Sequence, residues 1–87
     1  MKNGGKLYNS DKVESLVSGI RTGNVSVWSK ELVRITKTDE KILEIGCGTG
    51  VTSVWLAMQR RKAVALDFSK EALACAQGVA EKCHVET

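Results

Sequence analysis

The stretch LEIGCGTG, Leu43–Gly50, decides the fold. An apolar run carrying one carboxylate, Glu44, breaks into three glycines within five residues. Ile42–Ile45 is a short apolar segment stopped by glycine, the pattern of a buried strand. After the glycines, Val51, Val54, Trp55 and Met58 recur at i, i+3, i+4 and i+7, one face of a helix. A glycine turn between strand and helix bends the backbone sharply. It also admits a ligand to the free amides of the helix N-terminus, where negative charge is favoured.

Working outward, a second apolar run, Ala63–Leu66, is stopped by Asp67, and Ser69 is placed to cap a last helix. Ala72, Ala76, Val79, Ala80 and Cys83 line one face of that helix. A strand, a crossover helix and a second strand form a βαβ unit with parallel strands. Neither apolar run alternates clearly, which predicts strands covered on both faces. The basic Arg60-Arg61-Lys62 reads as a helix C-terminus answering its macrodipole. The final HVET, residues 84–87, starts a third strand or forms a tail.

Upstream, residues 1–9 are a polar, glycine-containing lead. Ser10 or Asp11 can cap a first helix whose stripe is Val13, Leu16, Val17 and Ile20, with Gly23 as its stop. A second helix from about Ser26 has the stripe Val25, Trp28, Leu32 and Ile35. Trp28 and Trp55 fall on these stripes and are expected in a core or an interface. Residues 36–41 are a polar turn. The predicted fold is thus α/β: two N-terminal helices over 1–40, then a β-α-β-α half over 41–87, together one partial domain.

Eighty-seven residues make at most one domain. The net charge of +3 is mild and has no basic stripe with interleaved aromatics, so a nucleic-acid partner is not expected. Cys47, Cys75 and Cys83 are odd in number and form no CxxC pair, which argues against a disulfide framework or a structural zinc site. Reduced thiols suit a cytoplasmic setting. No run approaches a membrane span, and the first residues lack the apolar core of a signal peptide.

Three ligand classes use a glycine loop placed at the carboxyl end of a strand. A P-loop requires GxxxxGK[ST], and no Lys follows Gly50. A dinucleotide site reads GxGxxG, whereas this loop is GxGxG with Val51 where the third glycine belongs. An adenosyl ligand needs a carboxylate for its ribose hydroxyls roughly 20 residues on. Asp67 follows Gly46 by 21 positions and Gly50 by 17. Simpler roles stand beside these. The glycines can make a tight turn, Glu44 can bond loop amides, Asp67 can cap a helix and Phe68 can pack on the loop.

ILEIGCGTG followed by AVALDFS resembles the first two motifs of class I S-adenosylmethionine-dependent methyltransferases, over roughly residues 25–83. The resemblance implies a truncated Rossmann-like methyltransferase fold that holds S-adenosylmethionine or S-adenosylhomocysteine. It places Glu44 near the methionine end of the ligand and packs Gly46, Gly48 and Gly50 under the methionine and ribose. Asp67 would grip both ribose hydroxyls and Phe68 would lie against the adenine. Cys47, between two loop glycines, takes a backbone role, since no neighbouring base lowers its pKa.

A class I core is more than twice this length and orients the methyl acceptor on later strands. The expectation is therefore a cofactor-binding fragment, with no catalytic residue of its own and not competent alone. A non-catalytic nucleotide- or dinucleotide-binding module, or a self-assembling Rossmann-like module, is the alternative. Two parallel strands need further partners for stability. A homodimer through the open sheet edge or through swapped N-terminal helices is expected.

Overall fold

The computed structural model describes residues 10–85. Its elements are α1 (Ser10–Arg21), α2 (Val27–Ile35), β1 (Lys41–Ile45), α3 (Val51–Met58), β2 (Lys62–Leu66) and α4 (Lys70–Lys82). The two strands pair in parallel, with Lys41 beside Lys62 and Ile45 beside Leu66. Among the described residues, four helices with a two-stranded parallel sheet make an α/β fold compatible with part of a Rossmann-like methyltransferase fold. The polar lead at 1–9 lies outside the described residues.

The core forms where α1, α3 and α4 meet. Val13, Val17 and Ile20 of α1 pack with Val54 of α3, with Cys75, Val79 and Ala80 of α4 and with its C-cap Cys83. All but Cys75 lie on the apolar stripes read from the sequence, and each large one contributes roughly 1.5–3 kcal/mol by leaving water. Helix α3 is the central element, packed on β2, α2, α4 and α1. Leu56 and Ser53, off the apolar stripe of α3, are therefore fully buried as well. The caps follow local chemistry. Ser26 Oγ accepts the Ser29 amide at 3.0 Å to open α2, and Ser69 Oγ accepts the Ala72 amide at 3.1 Å to open α4.

Three expectations change, and one left open is narrowed. The stripe of α2 is turned: Ser29 is buried, Leu32 and Val33 are half-buried, and Trp28 and Ile35 stand exposed. The reason is a hydroxyl pair between helices, Ser29 Oγ to Thr52 Oγ1 at 2.8 Å, which draws the Ser29 face against α3. Secondly, the strands are covered on one face only. Ile42, Glu44, Ala63 and Ala65 turn toward the helices, while Leu43, Ile45, Val64 and Leu66 are 57%, 77%, 53% and 49% exposed.

Thirdly, Arg61 answers the C-terminus of α2 rather than serving only its own helix. Its Nη2 donates to the Val33 and Thr36 carbonyls at 2.8 and 2.7 Å, its Nε to Thr36 Oγ1, and its Nη1 to the Gln59 carbonyl. One guanidinium thus ties α2 to the turn leading into β2. Of the two readings left open for residues 84–87, strand start or tail, residues 84–85 form no strand. His84 turns left-handed at φ 59° and the Val85 amide returns to the Ala80 carbonyl at 3.0 Å, closing α4. Residues 86 and 87 lie outside the described residues.

Candidate functional site

The loop Gly46–Gly50 leaves β1 and enters α3 beside the end of β2. The Gly46 and Cys47 amides both donate to the Leu66 carbonyl, at 2.7 and 2.9 Å, so the loop is fastened to the second strand. The Gly50 amide returns to the Cys47 carbonyl at 3.0 Å and closes the turn. All three glycines have positive φ, 75°, 55° and 80°.

Their surroundings differ. A Cβ on Gly46 or Gly48 would meet nothing within 4 Å, so these two present open backbone. A Cβ on Gly50 would fall 2.4 Å from Ala76 Cβ and 2.9 Å from Ala76 Cα. Gly50 therefore lets α4 press against the start of α3, while Gly46 and Gly48 shape the loop and leave its surface clear. As N-cap of α3, Gly50 has no side chain to close the helix, so the first-turn amides carry no side-chain cap.

Asp67 joins the two halves of the site. Its Oδ2 accepts the Gly48 amide at 2.8 Å and its Oδ1 accepts the Ser69 amide at 2.9 Å. The Ser69 amide first, then that of Gly48, hold its carboxyl below the ordinary aspartate range against the opposing effect of desolvation, with a lesser contribution from the Phe68 amide. Asp67 is thus a loop fastener and a turn former at once, and the cap of α4 belongs to Ser69.

Glu44, pointing to the covered side of β1, accepts a hydrogen bond from Ser53 Oγ. Ser53 is fully buried. It is a member of the site that the sequence reading missed. The available signal was a hydroxyl residue inside the most apolar of the described helices. Cys47 is buried, and its thiol is pushed up by burial and then by the charges of Asp67 and Glu44, so it remains protonated at neutral pH.

Phe68 stands wholly exposed at the edge of a hollow of about 280 Å³. Ile45, Gly46, Leu66, Asp67 and Leu73 complete its lining. Of the sequence-predicted residues, Gly46, Asp67 and Phe68 meet at this hollow, with Gly48 tied to it through Asp67. Glu44 lies on the opposite face of the sheet, and Gly50 is spent on helix packing. Val51, where a dinucleotide pattern wants glycine, opens α3 and packs its side chain on the core. A larger hollow of about 500 Å³ between α1 and α4 is spanned by the Lys82–Glu14 ion pair and lies at neither strand end. No described helix is long and apolar enough to cross a membrane.

Comparison with known proteins places this loop in context. An uncharacterized protein of Haemophilus influenzae (strain ATCC 51907 / DSM 11121 / KW20 / Rd) is 40% identical over 55 residues. That match covers 61% of this chain and 20% of the relative, so the shared segment is about a fifth of that protein's length. No solved structure matches the chain. A family model described as "Methyltransferase domain" matches residues 42–87, which takes in both strands, the glycine loop and Asp67. The chain belongs to the methyltransferase-domain family.

Proposed function

We propose that this chain binds S-adenosylmethionine, or its product S-adenosylhomocysteine, as the cofactor-holding part of a class I methyltransferase. The observation that carries this reading is the setting of Asp67. An ionised carboxylate has about four acceptor positions. Asp67 uses two on loop amides and keeps capacity for a pair of ribose hydroxyls beside an apolar hollow. A hollow lined by Ile45, Leu66, Phe68 and Leu73 suits the flat face of an adenine. The open backbone of Gly46 and Gly48 suits the close passage of the sugar and methionine.

In this reading Glu44, steadied by Ser53, serves the methionine end, and Cys47 contributes backbone alone. Gly50 keeps the N-terminus of α3 against α4. Bound there, the cofactor supplies a methyl group on a sulfonium for direct displacement. The chain's own contribution is position. The β-α-β-α unit holds the donor, and residues orienting an acceptor belong to elements beyond it, so the unit alone does not turn over. Nucleic acid and membrane are not expected partners, and a cytoplasmic setting suits three free thiols.

Titration calorimetry with S-adenosylhomocysteine and with NAD tests the reading. Binding of the former, weakened roughly 10-fold or more in Asp67→Ala, is expected. Preference for NAD would replace it with a dinucleotide-binding module. Binding of neither ligand by a folded sample would leave a module without this cofactor.

A further inference from the structure

The first turn of α3 is held by more than its own helix. Its N-cap is Gly50, so no side chain closes it. Three of the five residues Gly46–Gly50 are glycine, the residue that loses most freedom on ordering. The point where this loop becomes helix must therefore be fixed from outside. Ala76 of α4 lies against Gly50 on one side. Ser53 Oγ reaches Glu44 of β1 on another. The third hold comes from α2. Thr52 Oγ1 lies 2.8 Å from Ser29 Oγ, across 23 positions of chain. Ser29 Oγ is in turn 3.0 Å from Ser26 Oγ, the N-cap of α2, which also accepts the Ser29 amide.

Ser29 is 1% exposed, a burial that serine rarely reaches, and its hydroxyl is satisfied there by Ser26 and Thr52. The other end of α2 is fastened too. Arg61, just beyond α3, donates to the Val33 and Thr36 carbonyls. Helix α2 thus runs beside α3 in the same direction, tied to its first turn by Ser29 and to the turn after it by Arg61. A rigid helix fixed at two points sets the distance between them. Losing the Ser29–Thr52 tie frees the loop end alone, because the Arg61 end stays fastened.

We infer that, on the reading of the loop as a cofactor site, Ser29 and Thr52 are positioning residues for it. Their hydroxyl pair braces the first turn of α3 against α2 and so holds the open backbone of Gly46 and Gly48 in one shape before a ligand arrives. Neither residue lines the hollow at Phe68, and both act through the loop backbone. Ordering that loop in advance spares the ligand the entropic cost of doing so.

Hydrogen exchange at the Gly48 and Gly50 amides of the ligand-free full chain, together with calorimetric titration of S-adenosylhomocysteine, tests it. Ser29→Ala and Thr52→Val should each speed exchange at both amides several-fold and weaken the ligand roughly 3- to 10-fold. The double variant should lose little beyond the larger single loss, since the two hydroxyls make one contact. Thr52→Ser keeps the hydroxyl and should keep the parent's exchange and affinity. Val17→Ala, in the core face of α1, should lower the urea midpoint while both readouts stay at parent values. Circular dichroism checks that each variant keeps its helices. Parent-like loop exchange in Ser29→Ala and Thr52→Val overturns the inference, and so does a loss that Thr52→Ser shares. Loop exchange equally fast in Val17→Ala also overturns it, by reducing the pair to one more contribution to stability. A parent chain that binds no S-adenosylhomocysteine, with loop exchange still speeded by Ser29→Ala, would strike the cofactor reading and keep the brace.

Discussion

The two faces of one small sheet have been treated in opposite ways. On the inner face the strands offer Ile42, Glu44, Ala63 and Ala65, and small side chains there allow α3 to settle on β2. On the outer face they offer Leu43, Ile45, Val64 and Leu66, bulkier and bare. The same crowding distinguishes the glycines, with Gly50 pressed by Ala76 and Gly46 and Gly48 open. The difference teaches that the inner side of this unit is closed by packing, whereas its outer side and loop surface are open among the described residues.

The largest effect is expected where the packed side is tightest. Gly50→Ala puts a Cβ 2.4 Å from Ala76 Cβ at a φ of 80°. Left-handed strain and overpacking together should cost roughly 3 kcal/mol or more, a large fraction of the stability of a small domain. Gly46→Ala and Gly48→Ala carry the strain without the clash and should cost ~1–2 kcal/mol each. Ala76→Gly in the Gly50→Ala background should recover only part of the loss, because Ala76 Cα at 2.9 Å remains in the way. Urea unfolding of the four variants is the measurement. Equal losses at the three glycines would erase the distinction drawn between them.

The next contrast sets Leu56 against Leu66. Leu56→Ala, at a fully buried position, should cost ~2–5 kcal/mol in chemical denaturation. Leu66→Ala, at an exposed one, should stay within ~0.5 kcal/mol for the dissociated chain. A comparable loss at Leu66 in a sample held dissociated would mean that the outer face is covered.

How much of this was legible beforehand follows from the same residues. The helical stripes of α1 and α4 were plain, because 3.6-residue spacing and the core face coincide. The loop was plain as well, since glycine spacing and the distance to Asp67 are linear features of the chain. The choice of sheet face was not. Ile42–Ile45 and Ala63–Leu66 are nearly continuous apolar runs, and a run without alternation does not say which side will be covered. The rotation of α2 was hidden for a different reason. It depends on a hydroxyl of Ser29 finding Thr52, a meeting made by tertiary structure alone. Arg61 was legible as a cap but not as the cap of another helix.

Ser53→Ala probes the inner face more gently. It removes the donor to Glu44 and should cost ~1 kcal/mol, with the half-buried carboxylate left short of a partner. If Glu44 serves the methionine end, the same variant weakens S-adenosylhomocysteine a few-fold by calorimetry, while Leu43→Ala on the outer face does not. Equal effects of the two would detach Glu44 from the ligand.

The smallest effect belongs to Asp67, and its sign is fixed by the amides around it. Its carboxyl titrates below the ordinary value near ~3.9, because the Ser69 and Gly48 amides bond the charged form. A carboxyl whose pKa is lower folded than unfolded stabilises the fold above its unfolded value. That stabilisation fades as pH falls through the folded one. Stability measured by denaturant should therefore be steady from pH 7 to about 5 and decline in the acid range below ~4. In Asp67→Asn the part of that decline due to this carboxyl should vanish. The asparagine keeps one acceptor oxygen, so the loop loses either the Gly48 or the Ser69 bond rather than both. Hydrogen exchange at the Gly48 and Ser69 amides reads that choice directly. Faster exchange at Gly48 alone would show that the loop depends on Asp67 more than the turn into α4 does, and would place the weak point of the site on its open side.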